Sequence, residues 1–156
     1  GVRGPVKNFE RWLYQRDRDG YRTVPAARVP HHESMYPSPP DQKYDFTARR
    51  TDLASGSDRI GFAVDDRFLS GGPHKVAVKV TYHDVSKGAW TLAYRTPDGE
   101  STRTIQCQGT DKIRTATFFL SDAVFPAKDL DFDFEIRAAE SDAVISFVRV
   151  VRLAPD

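Results

Sequence analysis

Hydrophobic and polar residues alternate in short runs over most of the chain from Tyr44 onward. In "HKVAVKVTYHD", Val78 and Val80 fall on one face, and Lys79 and Thr81 fall on the other. A period of two residues is typical of a β-strand with one buried face. Several separate runs share this pattern, which predicts a common core that contains Ile60, Phe62, Val64, Val76, Val78, Val80, Leu92, Phe118, Phe134 and Val148.

Turn-forming residues separate these runs. Pro97, Asp98 and Gly99 follow "GAWTLAYRT" and predict a hairpin, with "STRTIQC" as the returning strand. About eight or nine short strands with hardly a helical window predict an all-β fold, an antiparallel β-sandwich of jelly-roll type.

The first part of the chain differs in composition. "VPAARVPHHESMYPSPPD" is rich in proline, which removes backbone donors and disfavours helix, so we predict an extended, irregular surface segment. The chain as a whole, residues 1–156, has the length of one domain. We therefore expect a single domain with an N-terminal Pro-rich strap, about residues 1–43. The start at Gly1, with no methionine and no charged-then-apolar leader, suggests a mature product or an excised piece of something longer.

The charge balance and the absence of known motifs argue against several classes of function. Lys and Arg total 23 against 22 for Asp and Glu, with the two signs interleaved, which argues against a nucleic-acid partner. No segment approaches the ~20 consecutive apolar residues of a membrane span, so no membrane partner is expected. The lone Cys107 excludes an internal disulfide and a multi-cysteine zinc site, and we interpret it as a small strand residue. No nucleophile elbow or phosphate-binding glycine loop occurs, so the sequence predicts no catalytic residues and no enzyme.

Carboxylates alternate with apolar residues in "LDFDFEIRA". Asp131, Asp133 and Glu135 share the polar face of the predicted strand, and we expect a solvated cross-strand charge ladder with Lys75 and Lys79 as partners.

No cofactor is certain from the sequence, and metal binding stays open. A structural calcium ion is one candidate, with the acidic loops "VDDRFLSGG" and "AAESDA" as its candidate ligands. Neither loop has the regular ligand spacing of an EF-hand. His31 and His32 are interpreted as exposed loop residues.

Several stretches together resemble a known type of module. These stretches are "LYQRD", "RTVP", "ARRTD", "FAVDDRFLSGGPHKVAVKVTYHD", "GAWTLAYRTPDG", "TATFFLSDAVF" and "DFDFEIRAAESDAVISFVRV". Together they resemble the C-terminal β-sandwich accessory modules of bacterial glycoside hydrolases. Those modules are galactose-binding-like and of carbohydrate-binding-module type. The resemblance implies a non-catalytic domain that binds a polysaccharide or oligosaccharide and assists an attached catalytic domain. It also implies a secreted or cell-surface location. The alternative is a structural accessory β-sandwich that packs on a catalytic domain without binding sugar.

Aromatic and planar hydrogen-bonding groups are the candidate sugar ligands, because a sugar ring stacks on an aromatic face while guanidinium and carboxylate groups bond its hydroxyls. "LYQRD" is predicted to be an edge strand and "RDGYRTVP" a turn around Gly20. The predicted carbohydrate-binding residues near this loop-rich edge are Trp12, Tyr14, Arg16, Arg50 and Asp52, with Trp90 as a lesser candidate.

Two of these assignments have open alternatives. Arg50 and Asp52 could equally form an internal ion pair that fixes the strap. Trp90 shares a strand face with Leu92 and Tyr94, which favours a core position over a ligand contact.

Overall fold

The computed structural model describes the backbone of residues 10–12, 14–16, 19–30, 44–126 and 132–153, and the side chains within 19–26, 48–126 and 132–153. This part of the chain contains eleven strands, β1(Glu10–Trp12), β2(Tyr14–Arg16), β3(Val24–Pro30), β4(Tyr44–Arg50), β5(Arg59–Ala63), β6(Gly71–His83), β7(Ala89–Thr96), β8(Gly99–Gln106), β9(Ile113–Phe125), β10(Phe134–Ala138) and β11(Val144–Arg152). The described helical structure is limited to one 3-10 turn at Leu53–Ser55. None of it is a helix with the length and apolar character needed to cross a membrane.

All strand pairs among the described residues are antiparallel, which confirms the predicted all-β class. The strands form one curled sheet in the order β2-β5-β10-β7-β9-β6-β11-β4-β3, with β1 on β11 and β8 on β7. The β7 half (β2, β5, β7, β8 and β10) joins the β6 half (β1, β3, β4, β6, β9 and β11) where Arg95 pairs with Val124. The jelly-roll sandwich stays a prediction.

One hydrophobic cluster draws side chains from both halves of the sheet, which explains the curl. It contains Ile60 and Leu92 from the β7 half and Val78 and Val150 from the β6 half. All ten residues predicted for the core are buried. Period-two alternation identified them because each strand turns one face inward.

The hairpin predicted at Pro97–Gly99 is confirmed. Thr96 pairs with Gly99 across the turn, and Gly99 has a φ of 120°, a backbone conformation that favours glycine. The turn around Gly20 is confirmed as well, with a φ of 82°.

The Pro-rich segment differs from the prediction in part. Val24–Pro30 forms strand β3, which pairs with β4, although an irregular segment was expected. The prolines are tolerated because β3 ends the strand order, and an edge strand can leave one side of its backbone without ladder donors. The edge strand predicted in "LYQRD" is confirmed for Tyr14–Arg16, since β2 ends the order on the opposite side and pairs with β5. Residues 31–43 of the strap lie outside the described residues.

Candidate functional site

An open cavity of about 390 Å³ lies on the β7 half of the sheet, where β7 ends, the hairpin turns into β8, and β10 begins. Charged residues and three aromatic residues, Tyr94, Phe132 and Phe134, lie around it. The cavity is lined by Ala93, Tyr94, Arg95, Thr96, Pro97, Gly99, Glu100, Phe132, Asp133, Phe134, Glu135 and Arg137.

Arg137 organises the charged groups of this cavity. Its two terminal nitrogens each donate to one oxygen of Glu100 at 2.8 Å, and its Nε donates to Glu135 at 3.0 Å. A planar guanidinium fits a carboxylate in this paired geometry. The hydrogen bonds from Arg137 lower the pKa of Glu100, and those to Glu100 and Glu135 raise the pKa of Arg137. The carboxylate of Glu100 is therefore held ionised and fixed in place.

Strand register explains how Arg137 reaches Glu100 across an intervening strand. Glu135 and Arg137 alternate on β10 with the buried Phe134 and Ile136, so both charged groups face away from the core. On β7, which separates β10 from β8, Ala93 pairs with Glu135. A methyl group at that position leaves room for the longer side chains to meet above it.

An aromatic cluster adjoins the charged groups. The hydroxyl of Tyr21 donates to Glu135 at 2.5 Å, and its ring lies 4.6 Å from that of Phe132 between centroids. Arg59 lies over the Tyr21 ring at 5.8 Å and is 3.5 Å from Glu135. The Phe132 ring covers Gly61, where a Cβ atom would collide with it. Tyr21 therefore packs against the outer face of β5 and β10.

The predicted partners of the acidic row are wrong for Glu135. It pairs with Arg59 and Arg137, not with Lys75 and Lys79. The reason is topological, because β10 lies between β5 and β7, whereas β6, which carries both lysines, lies between β9 and β11. The sequence pattern identified the polar face of β10 without identifying its neighbouring strands.

Asp133 is buried, at 3% exposure, so the solvated position expected for it is wrong. Its carboxylate accepts a hydrogen bond of 2.6 Å from the backbone of Val64, and its own amide donates to Phe62 at 2.9 Å. These bonds anchor the start of β10 to the end of β5. Asp131, the third member of the predicted row, lies outside the described residues.

Arg50 is the last residue of β4, in the other half of the sheet, and Asp52 follows two residues later. The guanidinium of Arg50 lies 3.4 Å from Asp52 and 3.2 Å from Asp142. Between them, the buried Thr51 donates to Asp142 at 2.8 Å and accepts from the Ala143 amide at 3.0 Å. The ion pair considered as an alternative is therefore present, at a partly exposed position, and a ligand-binding role for Arg50 stays a prediction.

The N-terminal candidates are divided between the two halves of the sheet by their backbone pairing. Trp12 pairs with Arg149 on β11, whereas Tyr14 and Arg16 pair with Ala63 and Gly61 on β5. The side chains of Trp12, Tyr14 and Arg16 lie outside the described residues, so the ligand contacts predicted for them stay predictions.

Trp90 lies in the core, as its strand pattern favoured, with 2% of its surface exposed. Its ring meets those of Tyr82 and Phe118 edge-on, with centroids 5.3 Å and 5.9 Å away. In this position the indole offers no face to a sugar.

The two loops considered for calcium have other contacts. Asp65 accepts from the Arg67 backbone at 2.9 Å and pairs with its side chain at 3.0 Å, and Asp142 pairs with Arg50. Where the chain is described, no group of three or more His, Cys, Asp or Glu residues is placed to hold a metal ion. Calcium binding stays a hypothesis, and His31 and His32 lie outside the described residues.

Sequence reasoning missed Tyr21, Glu100 and Arg137, although all three contribute to the charged and aromatic surface around the cavity. Arg137 and Glu100 are separated by 37 positions, and Tyr21 and Glu135 by 114. The one local signal was the outward position of Arg137 next to a core residue on each side.

No protein-family model, curated protein sequence or solved structure matches this chain.

Proposed function

We propose that this chain is a non-catalytic carbohydrate-binding domain that binds a polysaccharide or oligosaccharide and assists an attached glycoside hydrolase. The observation that carries the proposal is the cavity beside the β7–β8 hairpin, with its fixed guanidinium and carboxylate groups. The resemblance of the sequence to accessory modules of bacterial glycoside hydrolases supports it, and with it a secreted or cell-surface location. The curled antiparallel sheet around one shared core supports the finer assignment to a jelly-roll, galactose-binding-like β-sandwich.

The size and chemistry of the cavity suit a small hydroxyl-rich ligand. A volume of about 390 Å³ falls within the usual range for small-molecule sites. Arg95 and Glu100 at its rim are exposed, and they can bond ligand hydroxyl groups as donor and acceptor. A sugar held by a few solvent-exposed hydrogen bonds should bind weakly, with a dissociation constant from millimolar to micromolar, about −4 to −8 kcal/mol.

Arg137 disfavours one catalytic role for Glu100, that of a general acid. A glycosidase needs one carboxylic acid with a raised pKa to protonate the leaving oxygen. The pKa of Glu100 is lowered by Arg137, which is the opposite requirement. Glu135 is held by two arginines and by the Tyr21 hydroxyl.

Isothermal titration calorimetry with a panel of oligosaccharides tests this proposal. We expect at least one to bind, and Arg95→Ala to weaken that binding about twofold to tenfold through the loss of one or two hydrogen bonds. Arg103→Ala is the matched control, because this exposed arginine on β8 pairs in register with the core residue Leu92 and does not line the cavity. Binding that is unchanged in Arg95→Ala and weakened in Arg103→Ala would place the site elsewhere.

A glycosidase assay on the same protein tests the non-catalytic part of the proposal. We expect no turnover of any glycoside. Turnover that is abolished by Asp133→Asn or Glu135→Gln would show that the cavity is an active site.

A second candidate function is structural packing on a catalytic domain without sugar binding. It is favoured by Phe119, which is 68% exposed at the middle of β9. Packing of this sheet face on another domain would remove the exposed ring from water. If no glycan binds, and if Phe119→Ser abolishes binding of this chain to a separately prepared catalytic domain, this candidate replaces the first.

A further inference from the structure

The carboxylates of the cavity already have partners. Glu100 and Glu135 both accept hydrogen bonds from Arg137. Asp133 is buried, and its carboxylate accepts a hydrogen bond from the Val64 amide. A ligand that enters the cavity therefore meets carboxylates that are held in place by existing bonds.

The guanidinium of Arg137 is already occupied. The fork of its two terminal nitrogens is closed by the two oxygens of Glu100, both at 2.8 Å, and its Nε is bonded to Glu135. Strong recognition of a carboxylate, sulfate or phosphate by arginine uses that same fork. An anionic ligand would have to displace Glu100 before it could bind Arg137 in this way.

Arg59, the next arginine along this surface, is occupied as well. Its Nε donates to Asp58 at 2.9 Å, and its Nη1 lies 3.5 Å from Glu135. Arg95 is the exposed cation at the rim, and it pairs in register with Glu100 across the hairpin. An anion at Arg95 would therefore lie next to a fixed negative charge.

A neutral hydroxyl group meets none of these obstacles. It can donate to a carboxylate oxygen, which accepts about two hydrogen bonds, and it can accept from an N–H of Arg95 or from the remaining N–H groups of Arg137. Two adjacent hydroxyls of a sugar ring can do both without a change in the existing ion pairs. The charged groups around the cavity therefore favour neutral ligands over anionic ones.

We infer that the cavity selects neutral, hydroxyl-rich glycans and discriminates against acidic ones that carry uronate or sulfate groups. The inference rests on the proposed carbohydrate-binding function and specifies its ligand class. Glu100 is the specificity-determining residue, because it both closes the arginine fork and places a negative charge at the rim.

Matched ligand pairs test the inference by calorimetry on the whole chain. The probes are cello-oligosaccharides against their C6-oxidised counterparts, and galacto-oligosaccharides against oligogalacturonides of equal length. We expect a neutral member to bind at least fivefold tighter than its acidic counterpart at low salt, where charge effects are largest. Equal or tighter binding of the acidic member would overturn the inference and leave the proposed function standing, whereas no binding of either member at millimolar concentration would contradict the proposed function itself.

Substitution of Glu100 tests the assigned cause. Glu100→Gln should reduce the preference for the neutral member at least twofold, because it removes one negative charge and frees the fork of Arg137. Glu140→Gln is the matched control, an exposed glutamate beyond the far end of β10 that does not line the cavity. A second variant, Arg95→Gln, should increase the preference, since it removes the exposed cation. A preference that neither variant changes would overturn the role of these charges.

Discussion

Asp84 provides a quantitative test of how the loop between β8 and β9, residues 107–112, is held. Its side chain is fully buried at the end of β6 and accepts hydrogen bonds from the backbone amides of Gln108, Gly109 and Thr110 at 2.8, 3.2 and 3.2 Å. The Thr110 hydroxyl adds a bond of 2.6 Å, and the Arg114 Nε lies 3.4 Å away. One carboxylate therefore accepts hydrogen bonds from three consecutive amides of this loop.

Replacement of Asp84 by alanine leaves those donors without an acceptor. At about 1 kcal/mol for each of four lost bonds, the free energy of unfolding should fall by about 3–4 kcal/mol. For a domain of this length that corresponds to a fall in Tm of about 10 °C. Asp84→Asn, which keeps one acceptor oxygen, should cost less, about 2 kcal/mol.

The pH dependence follows from the same contacts. Burial alone would raise the pKa of Asp84, but the bonds from Thr110, Gln108 and Gly109 outweigh it and hold the pKa at about 2, below the ordinary value of 3.8. Because the folded pKa is depressed, the stability that the ionised group contributes is complete above pH ~4 and is lost as pH falls through ~2. The difference in pKa corresponds to about 2 kcal/mol.

Urea denaturation followed by tryptophan fluorescence measures both effects. The wild-type protein and Asp84→Asn are compared between pH 7 and pH 2, so that other carboxylates cancel in the difference between them. Asp98→Asn is the control, because this exposed aspartate in the β7–β8 turn lies away from the Asp84 contacts. An Asp84→Ala variant within 1 kcal/mol of wild type, or a wild-type advantage over Asp84→Asn that does not shrink below pH 4, would refute this reasoning.

Three shorter predictions concern packing. Gly61→Ala should cost about 1–3 kcal/mol in urea denaturation, because its Cβ would collide with the Phe132 ring, and Phe132→Ala should make the same change nearly neutral. Thr51→Val should cost about 1–3 kcal/mol, since Asp142 loses the buried hydroxyl that bonds it, and a change below 0.5 kcal/mol would contradict that role. Trp90→Ala should lower the free energy of unfolding by about 3–5 kcal/mol, as expected for a core aromatic, and a folded variant of wild-type stability would place the ring outside the core.

The strands and their inward faces could be predicted from the sequence. Val78 and Phe134 lie in separate runs of period two, and alternation along a strand is a local property that needs no knowledge of its neighbours. The hairpin at Pro97–Gly99 was predictable for the same reason, because its signal is contained in adjacent residues. Strand β3 was missed because local proline content indicates an irregular segment, whereas its position at the edge of the sheet is a property of the whole fold.

The cavity could not be predicted, because its parts come together through the order of strands. The register of β10, β7 and β8 brings Arg137 to Glu100, and the resulting pair is not adjacent in any run of the sequence. The acidic row illustrates the same limit. Its polar face was identified, but the lysine partners predicted for Glu135 were wrong because β6 is not a neighbour of β10.

Mapping of backbone amide shifts by NMR is the most direct test of the central claim, that this cavity binds a neutral glycan. The isotope-labelled chain is titrated with the neutral oligosaccharide that binds best in calorimetry. The account predicts that the largest shifts fall on residues 94–100 and 132–137, and that the exposed face around Phe119 on β9 does not respond. Shifts that cluster around Phe119 or Arg50, with none along the cavity, would contradict it.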